Sequence, residues 1–174
     1  MEYFDKVDPK YYESISDYKN MLLKTNSSFD GCFDLQKYND IKAWHDYTKL
    51  FEKVDTLPDG FSLGFQYLYI DNDEVIGMLN FRPQALNHDY LKKYGGHIGY
   101  SVKPDKRNNG VATRMLKQFL LICKNEYKLD KVLVTCYKDN RTSKKVILNN
   151  GGIFESYISE PNESKILERY WIKL

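Results

Sequence analysis

A short run of basic and amide side chains stands between a strand-like segment and a helix-like one: His97-Ile-Gly-Tyr100-Ser101-Val102-Lys-Pro-Asp-Lys-Arg107-Asn108-Asn109-Gly110-Val111-Ala112-Thr113. An extended run ends at Val102, a basic loop turns the chain, and a helix is expected to open at Asn108 or Asn109. The first turn of a helix presents N–H groups without an intrahelical partner, at the positive end of the dipole. Gly110 removes a side chain where a phosphate has to come close, and Lys103, Lys106 and Arg107 bring positive charge. Together these suit a dianionic group such as a pyrophosphate; they equally suit an ordinary strand–loop–helix with a solvated basic loop. The spacing matches neither G-x-x-x-x-G-K-[ST] nor G-x-G-x-x-G, so nucleoside triphosphate and dinucleotide sites lose their usual support.

The elements that must position this turn can be read from periodicity. Tyr11, Tyr12, Ile15, Tyr18, Met21 and Leu22 fall at helical spacing over Lys10 to Leu23. A second helix is expected from Gln36 to Lys53, with Ile41, Trp44, Tyr47 and Phe51 on one face. Pro58-Asp59-Gly60 marks a turn. Phe61–Ile70 and Glu74–Arg82 read as a hairpin around Asp71-Asn72-Asp73. A helical turn over Leu86–Lys93 leads to a strand at His97–Val102. A long amphipathic helix then runs to Tyr127 on the stripe Val111, Ala112, Met115, Leu116, Phe119, Leu120, Cys123. Lys131–Tyr137 is a continuous apolar strand, as in a sheet covered on both faces. A helix over Arg141–Asn149 is capped by Asp139 or Asn140 and closed by Gly151-Gly152. Ile153–Ile158 and Ile166–Ile172 are the last strands. The order is that of a mixed α/β layer with helices between central strands.

Composition narrows the partners. The 174 residues carry 26 basic and 24 acidic side chains, a net charge of +2, with 42% apolar and 29% charged residues. So balanced a chain argues against nucleic acid as the main partner. Its longest apolar runs are too short to span a bilayer. The start, Met1-Glu2-Tyr3-Phe4-Asp5, lacks the basic and apolar regions of a signal peptide. Three cysteines, Cys32, Cys123 and Cys136, without a C-x-x-C pair or a nearby histidine cluster, give no reason for a disulfide framework or a metal site. A reducing cytoplasm is the expected compartment.

Arg107-Asn-Asn-Gly110-Val-Ala112 is similar to the signature [QR]-x-x-G-x-[GA] of the GNAT acetyltransferases, where it likewise follows a strand and opens a long helix. A second block, Asp139-Asn140-Arg141-Thr142-Ser143 through Asn150-Gly151-Gly152, resembles the N-x-x-[AS] segment of that superfamily. The resemblance covers residues 62–158. It extends, through the H-I-G-Y-S run and the terminal Arg169-Tyr170-Trp171-Ile172, to a bacterial subgroup of predicted acetyltransferases.

The resemblance implies the acyl-CoA N-acyltransferase fold: a central, mostly antiparallel mixed sheet, helices on both faces, and splayed fourth and fifth strands. It implies one domain over 1–174, with a helical acceptor side at 1–60 and a sheet core holding acetyl-CoA at 61–174. Tyr100, Ser101 and Val102 would meet the acetyl and pantetheine groups. Arg107 and backbone groups from Asn108 through Asn109, Gly110, Val111 and Ala112 to Thr113 would cradle the pyrophosphate, and Asn140 and Ser143 would touch pantetheine. The thioester would lie between the strands ending at Val102 and Tyr137, where N–H donors stabilise the developing oxyanion.

The pattern is incomplete in its catalytic half. Where many members place a glutamate on the fifth strand stands Thr135; where some place one on the fourth strand stands Gly96; where many place a tyrosine on the next helix stands Ile147. Tyr137 shares the strand face of Thr135 and is the candidate acid for the leaving thiolate, against a packing role. His97 has the side-chain chemistry of a base, against a buried structural histidine on the opposite face. Cys136 would serve a ping-pong route only with a partner base.

Acceptor contacts are expected from the tyrosine-rich N-terminal helices, from Asn80 and Arg82, and from the loop with Asn87 and His88. The leading reading is an acetyl-CoA-dependent N-acetyltransferase, without metal, acting by direct transfer on the amine of a small molecule or peptide. The competing reading is a non-catalytic acyl-CoA-binding module. An RNA-binding domain lacks the aromatic pattern and basic stripe it would need. No nucleic-acid or membrane partner is expected, and the Arg169–Ile172 edge is expected to pair with a second copy as a homodimer.

Overall fold

Tyr11, Ile15, Tyr18 and Leu22 recur every three or four residues; helix α1, Tyr12–Lys24, buries the last three, and Tyr11 is buried in the 3-10 turn just before it. The computed structural model describes residues 1–161 and 164–174. Among these, α1 follows a strand β1, Tyr3–Lys6, and precedes α2 at Ile41–Lys49. The expected longer second helix is divided: Leu35–Lys37 forms a 3-10 turn, and the Asp40 side chain accepts hydrogen bonds from Lys42 N and Ala43 N, starting α2 afresh.

Strands β2, Phe65–Asp71, and β3, Glu74–Phe81, form a hairpin whose two central turn residues, Asn72 and Asp73, have φ of 48° and 62°. Short polar side chains tolerate that geometry, which matches the twist of the strands. A 3-10 turn at Ala85–Asn87 and one π-helical turn at Leu91–Gly95 lead to β4, Ile98–Val102. Next come α3, Val111–Asn125, β5, Lys131–Tyr137, α4, Arg141–Asn149, β6, Ile153–Ser159, and β7, Ile166–Lys173.

The chain forms two compact units. Met1–Arg82 with Gly99–Ala112 make the first; Pro83–Ile98 with Thr113–Leu174 make the second. The first contains a sheet in the order β1-β2-β3-β4, whose β1–β2 and β2–β3 pairs are antiparallel. Its core joins Tyr11, Ile15, Tyr18 and Leu22 to Leu35, Ile41, Trp44, Leu68, Ile70, Val75 and Met78. The second contains an antiparallel sheet in the order β5-β7-β6. The mixed α/β class expected from the sequence is the one observed.

β7 therefore lies between β5 and β6, and Arg169–Ile172 is not a sheet edge. The exposed edge is β6, with Ile153, Phe154 and Tyr157 turned to solvent. Among the described residues no helix is long and apolar enough to cross a membrane.

Candidate functional site

In the first unit, β4 is anchored beside β3 by Lys103 N, which donates to Ile76 O at 2.9 Å. A 3-10 turn at Pro104–Lys106 follows. Asn108 then takes a φ of 63° and Gly110 one of 73°, and α3 begins only at Val111. The helix starts later than the periodicity suggests because two left-handed residues cannot belong to it. Asn tolerates this region and Gly enters it without strain. The N–H groups of Val111, Ala112 and Thr113 are in the first turn of α3 and have no intrahelical acceptor. The positive end of a 15-residue helix reinforces them. This backbone arrangement fits a phosphate-bearing group.

The charged side chains of the turn are spent differently from the sequence expectation. Lys103 Nζ donates to Glu74 Oε1 at 2.6 Å and Lys106 Nζ lies 2.8 Å from Glu74 Oε2. Burial pushes the Glu74 carboxyl up, the hydrogen bonds from the two lysines push it further down, and its pKa lies below the ordinary value. Arg107 folds back on the loop. Its Nε donates to Val102 O and its Nη1 to Ser27 Oγ, both at 3.0 Å. It thereby clasps the end of β4 and the segment after α1. Ser101 is buried in a chain with Tyr18 Oη at 2.9 Å and Cys32 Sγ at 3.3 Å. Tyr100 is half-buried and Val102 buried. Arg82 Nη1 donates to Asn80 Oδ1 at 2.7 Å, beside the buried Gln66.

In the second unit, Gly96 has a φ of 63°, and a Cβ there would stand 2.5 Å from Leu133 O. The position has no room for a glutamate or any other side chain. His97 is 2% exposed; its N–H donates to Leu133 O at 2.8 Å and its Nδ1 accepts from Leu133 N at 2.9 Å. The imidazole thus takes the place of a strand carbonyl, with Nδ1 bearing no proton. Thr135 Oγ1 donates to Tyr94 O at 2.8 Å and ties β5 to the π-helical turn. Ile147 is fully buried. Cys136 is buried opposite Glu168, and burial first, then that carboxylate, pushes its thiol up to about 11. Such a group holds little thiolate at neutral pH, which disfavours the ping-pong route.

Asn140 caps α4, its Oδ1 accepting from Ser143 N at 3.0 Å. Tyr137, at the end of β5, donates from its hydroxyl to Glu160 Oε2 at 2.9 Å, and Tyr90 donates to Glu160 Oε1 at 2.6 Å. Lys165 Nζ stands 4.7 Å from the centre of the Tyr137 ring. The Tyr90 and Tyr94 rings are 5.2 Å apart. Sequence reading singles out Tyr137 but misses Glu160 and Tyr90. Glu160 follows β6 in a polar turn, and nothing in its spacing reveals two tyrosines converging on it.

A strand, a turn with two left-handed residues and an amphipathic helix thus follow one another in a mixed α/β frame. The sequence pattern of the Acetyltransferase (GNAT) domain matches residues 16–153, and the chain belongs to the GNAT family of acetyltransferases. Solved structures agree in fold. A ribosomal-protein alpha-N-acetyltransferase, RimL, in complex with coenzyme A is 14% identical, with a TM-score of 0.74 over 99% of this chain and 94% of the other. A microcin self-immunity acetyltransferase in complex with acetyl-CoA and AMP is 14% identical, with a TM-score of 0.74 over 99% and 92%. A chimeric spermidine N-acetyltransferase from Vibrio cholerae is 12% identical, with a TM-score of 0.66 over 99% and 94%. No curated protein sequence matches.

Proposed function

We propose that this chain transfers the acetyl group of acetyl-CoA directly to the primary amine of a small molecule or peptide. The observation that carries the reading is the turn into α3. Asn108 and Gly110 are left-handed, Arg107 clasps the loop, and the helix N–H groups of Val111, Ala112 and Thr113 follow. When bound, acetyl-CoA supplies the thioester. We assign its pyrophosphate to the backbone from Asn108 through Asn109 to Thr113. Its pantetheine arm and acetyl carbonyl are assigned to the backbone of Tyr100, Ser101 and Val102, with Asn140 and Ser143 as further pantetheine contacts. Tyr137 is the acid for the leaving sulfur. His97 is the second catalytic candidate, its Nδ1 held as the acceptor of the Leu133 N–H.

The acceptor class is drawn from the relatives, whose substrates include a protein N-terminus and spermidine. We place the enzyme in the cytoplasm, where its three buried free thiols suit a reducing medium, working without metal, nucleic acid or membrane. Its homodimer contact falls on the apolar edge of β6.

One set of observations favours a second reading, a non-catalytic acyl-CoA-binding module: Gly96, Thr135 and Ile147 are committed to packing or backbone contacts. The test is thiol release from acetyl-CoA with a panel containing spermidine and a serine-initiated peptide. Amine-dependent release supports transfer; binding of acetyl-CoA without release supports the module.

A further inference from the structure

A primary amine is an ammonium in neutral water: it must give up one proton to become the nucleophile and a second as the C–N bond forms, and the departing sulfur must gain one. The usual glutamate of strand β5 is replaced by Thr135, whose hydroxyl is bound to Tyr94 O. Two residues along the same face of that strand, the Tyr137 hydroxyl donates to Glu160 Oε2 at 2.9 Å. The other oxygen of that carboxylate accepts from Tyr90 at 2.6 Å. A half-buried carboxylate is thus fixed by two phenols from separate elements, one the end of β5 and the other the approach to the π-helical turn. The turn between β6 and β7 delivers to the end of β5 the carboxylate that β5 itself lacks.

Resting on the acetyl-transfer reading above, we propose that Glu160 and Tyr137 form the proton relay of the reaction. Glu160 draws in the cationic acceptor, which sheds one proton to solvent to become the free amine, and Glu160 takes the second proton from its nitrogen as the C–N bond forms. Tyr137 gives its hydroxyl proton to the sulfur as the C–S bond breaks, and Glu160 returns the captured proton to the Tyr137 oxygen. The balance closes: the ammonium loses two protons, one released to solvent and one passed through Glu160 and Tyr137 to the thiol, and both side chains end as they began. Tyr90 is a positioning residue that holds the second carboxylate oxygen. The tyrosine rings around an anionic centre suit amines that carry positive charge.

The test compares wild type, Glu160→Gln, Tyr137→Phe, the double variant and Glu160→Asp, by thiol release with the same amine panel. General acid–base groups contribute about 10²–10⁴-fold. Glu160→Gln is therefore expected to lower kcat by about 100-fold or more, with acetyl-CoA Kd and Tm unchanged, and Glu160→Asp to recover part of the loss. Because the two groups act as a unit, the double variant is expected to be no slower than the slower single variant within about threefold. Wild-type turnover with Glu160→Gln at wild-type rate overturns the relay and leaves the transfer reading intact, as do losses that multiply in the double variant. A wild type that binds acetyl-CoA but releases no thiol overturns both.

Discussion

Arg107 is the signature residue of the turn, and its observed geometry separates two roles that predict opposite results. As a bare cation it would contribute charge to a bound phosphate, and Lys would serve nearly as well. As a clasp it donates from two different nitrogens, Nε to Val102 O and Nη1 to Ser27 Oγ, each at 3.0 Å. Lys has a single nitrogen on a flexible stem and cannot reproduce that fork. The bond to Val102 O is part-buried and contributes about 1 kcal/mol, the exposed one to Ser27 a fraction of that. Loss of both lets the Asn108–Gly110 segment leave its left-handed geometry, and the cost appears in binding. Between about 1 and 2 kcal/mol corresponds to roughly five- to thirtyfold in Kd. Arg107→Lys and Arg107→Met are both expected to weaken CoA by roughly tenfold, read by titration calorimetry at fixed ionic strength. An Arg107→Lys variant that binds like wild type while Arg107→Met does not would refute the clasp.

Further outcomes follow from the same contacts. Gly96→Ala places a Cβ 2.5 Å from Leu133 O at a φ of 63°, so urea denaturation is expected to show a loss of at least ~2 kcal/mol. The Glu74 carboxyl titrates below its ordinary value in the folded state. It therefore adds stability above the ordinary glutamate range, and that stability is lost as pH falls through the lowered value. Glu74→Gln is expected to flatten the stability curve below about pH 5, with a small amplitude because Glu74 is 33% exposed. Burial pushes the Cys32 and Cys123 thiols up to about 12 and Cys136 to about 11. Alkylation by iodoacetamide at neutral pH is expected only after denaturant is added, and modification of any of the three in the native protein would contradict that.

The parts of the fold that sequence made legible are those held by local rules. The apolar run of β5 and the Asn-capped α4 fall at Lys131–Tyr137 and Arg141–Asn149 as the pattern implies, because strand period and capping act within a few residues. β1 escaped, since its four residues, two of them exposed, are defined only by pairing with β2. The start of α3 was displaced by backbone geometry at Asn108 and Gly110, which composition signals only weakly. The turn looked like a cluster of free positive charge because its neutralising Glu74 lies 29 residues before Lys103. Glu160 was invisible for the same reason: its phenol partners are 23 and 70 residues away, and no spacing rule reaches so far. The insertion of β7 between β5 and β6 likewise follows from pairing, not from chain order.

The central claim is that this GNAT chain turns over rather than only binding. Its most direct test is free CoA thiol released by the wild-type protein from acetyl-CoA, with and without the amine panel, at saturating acetyl-CoA. Release that depends on an amine and yields the acetylated amine in equal amount is the predicted result. Saturable acetyl-CoA binding with thiol release at the amine-free background across the panel would contradict it.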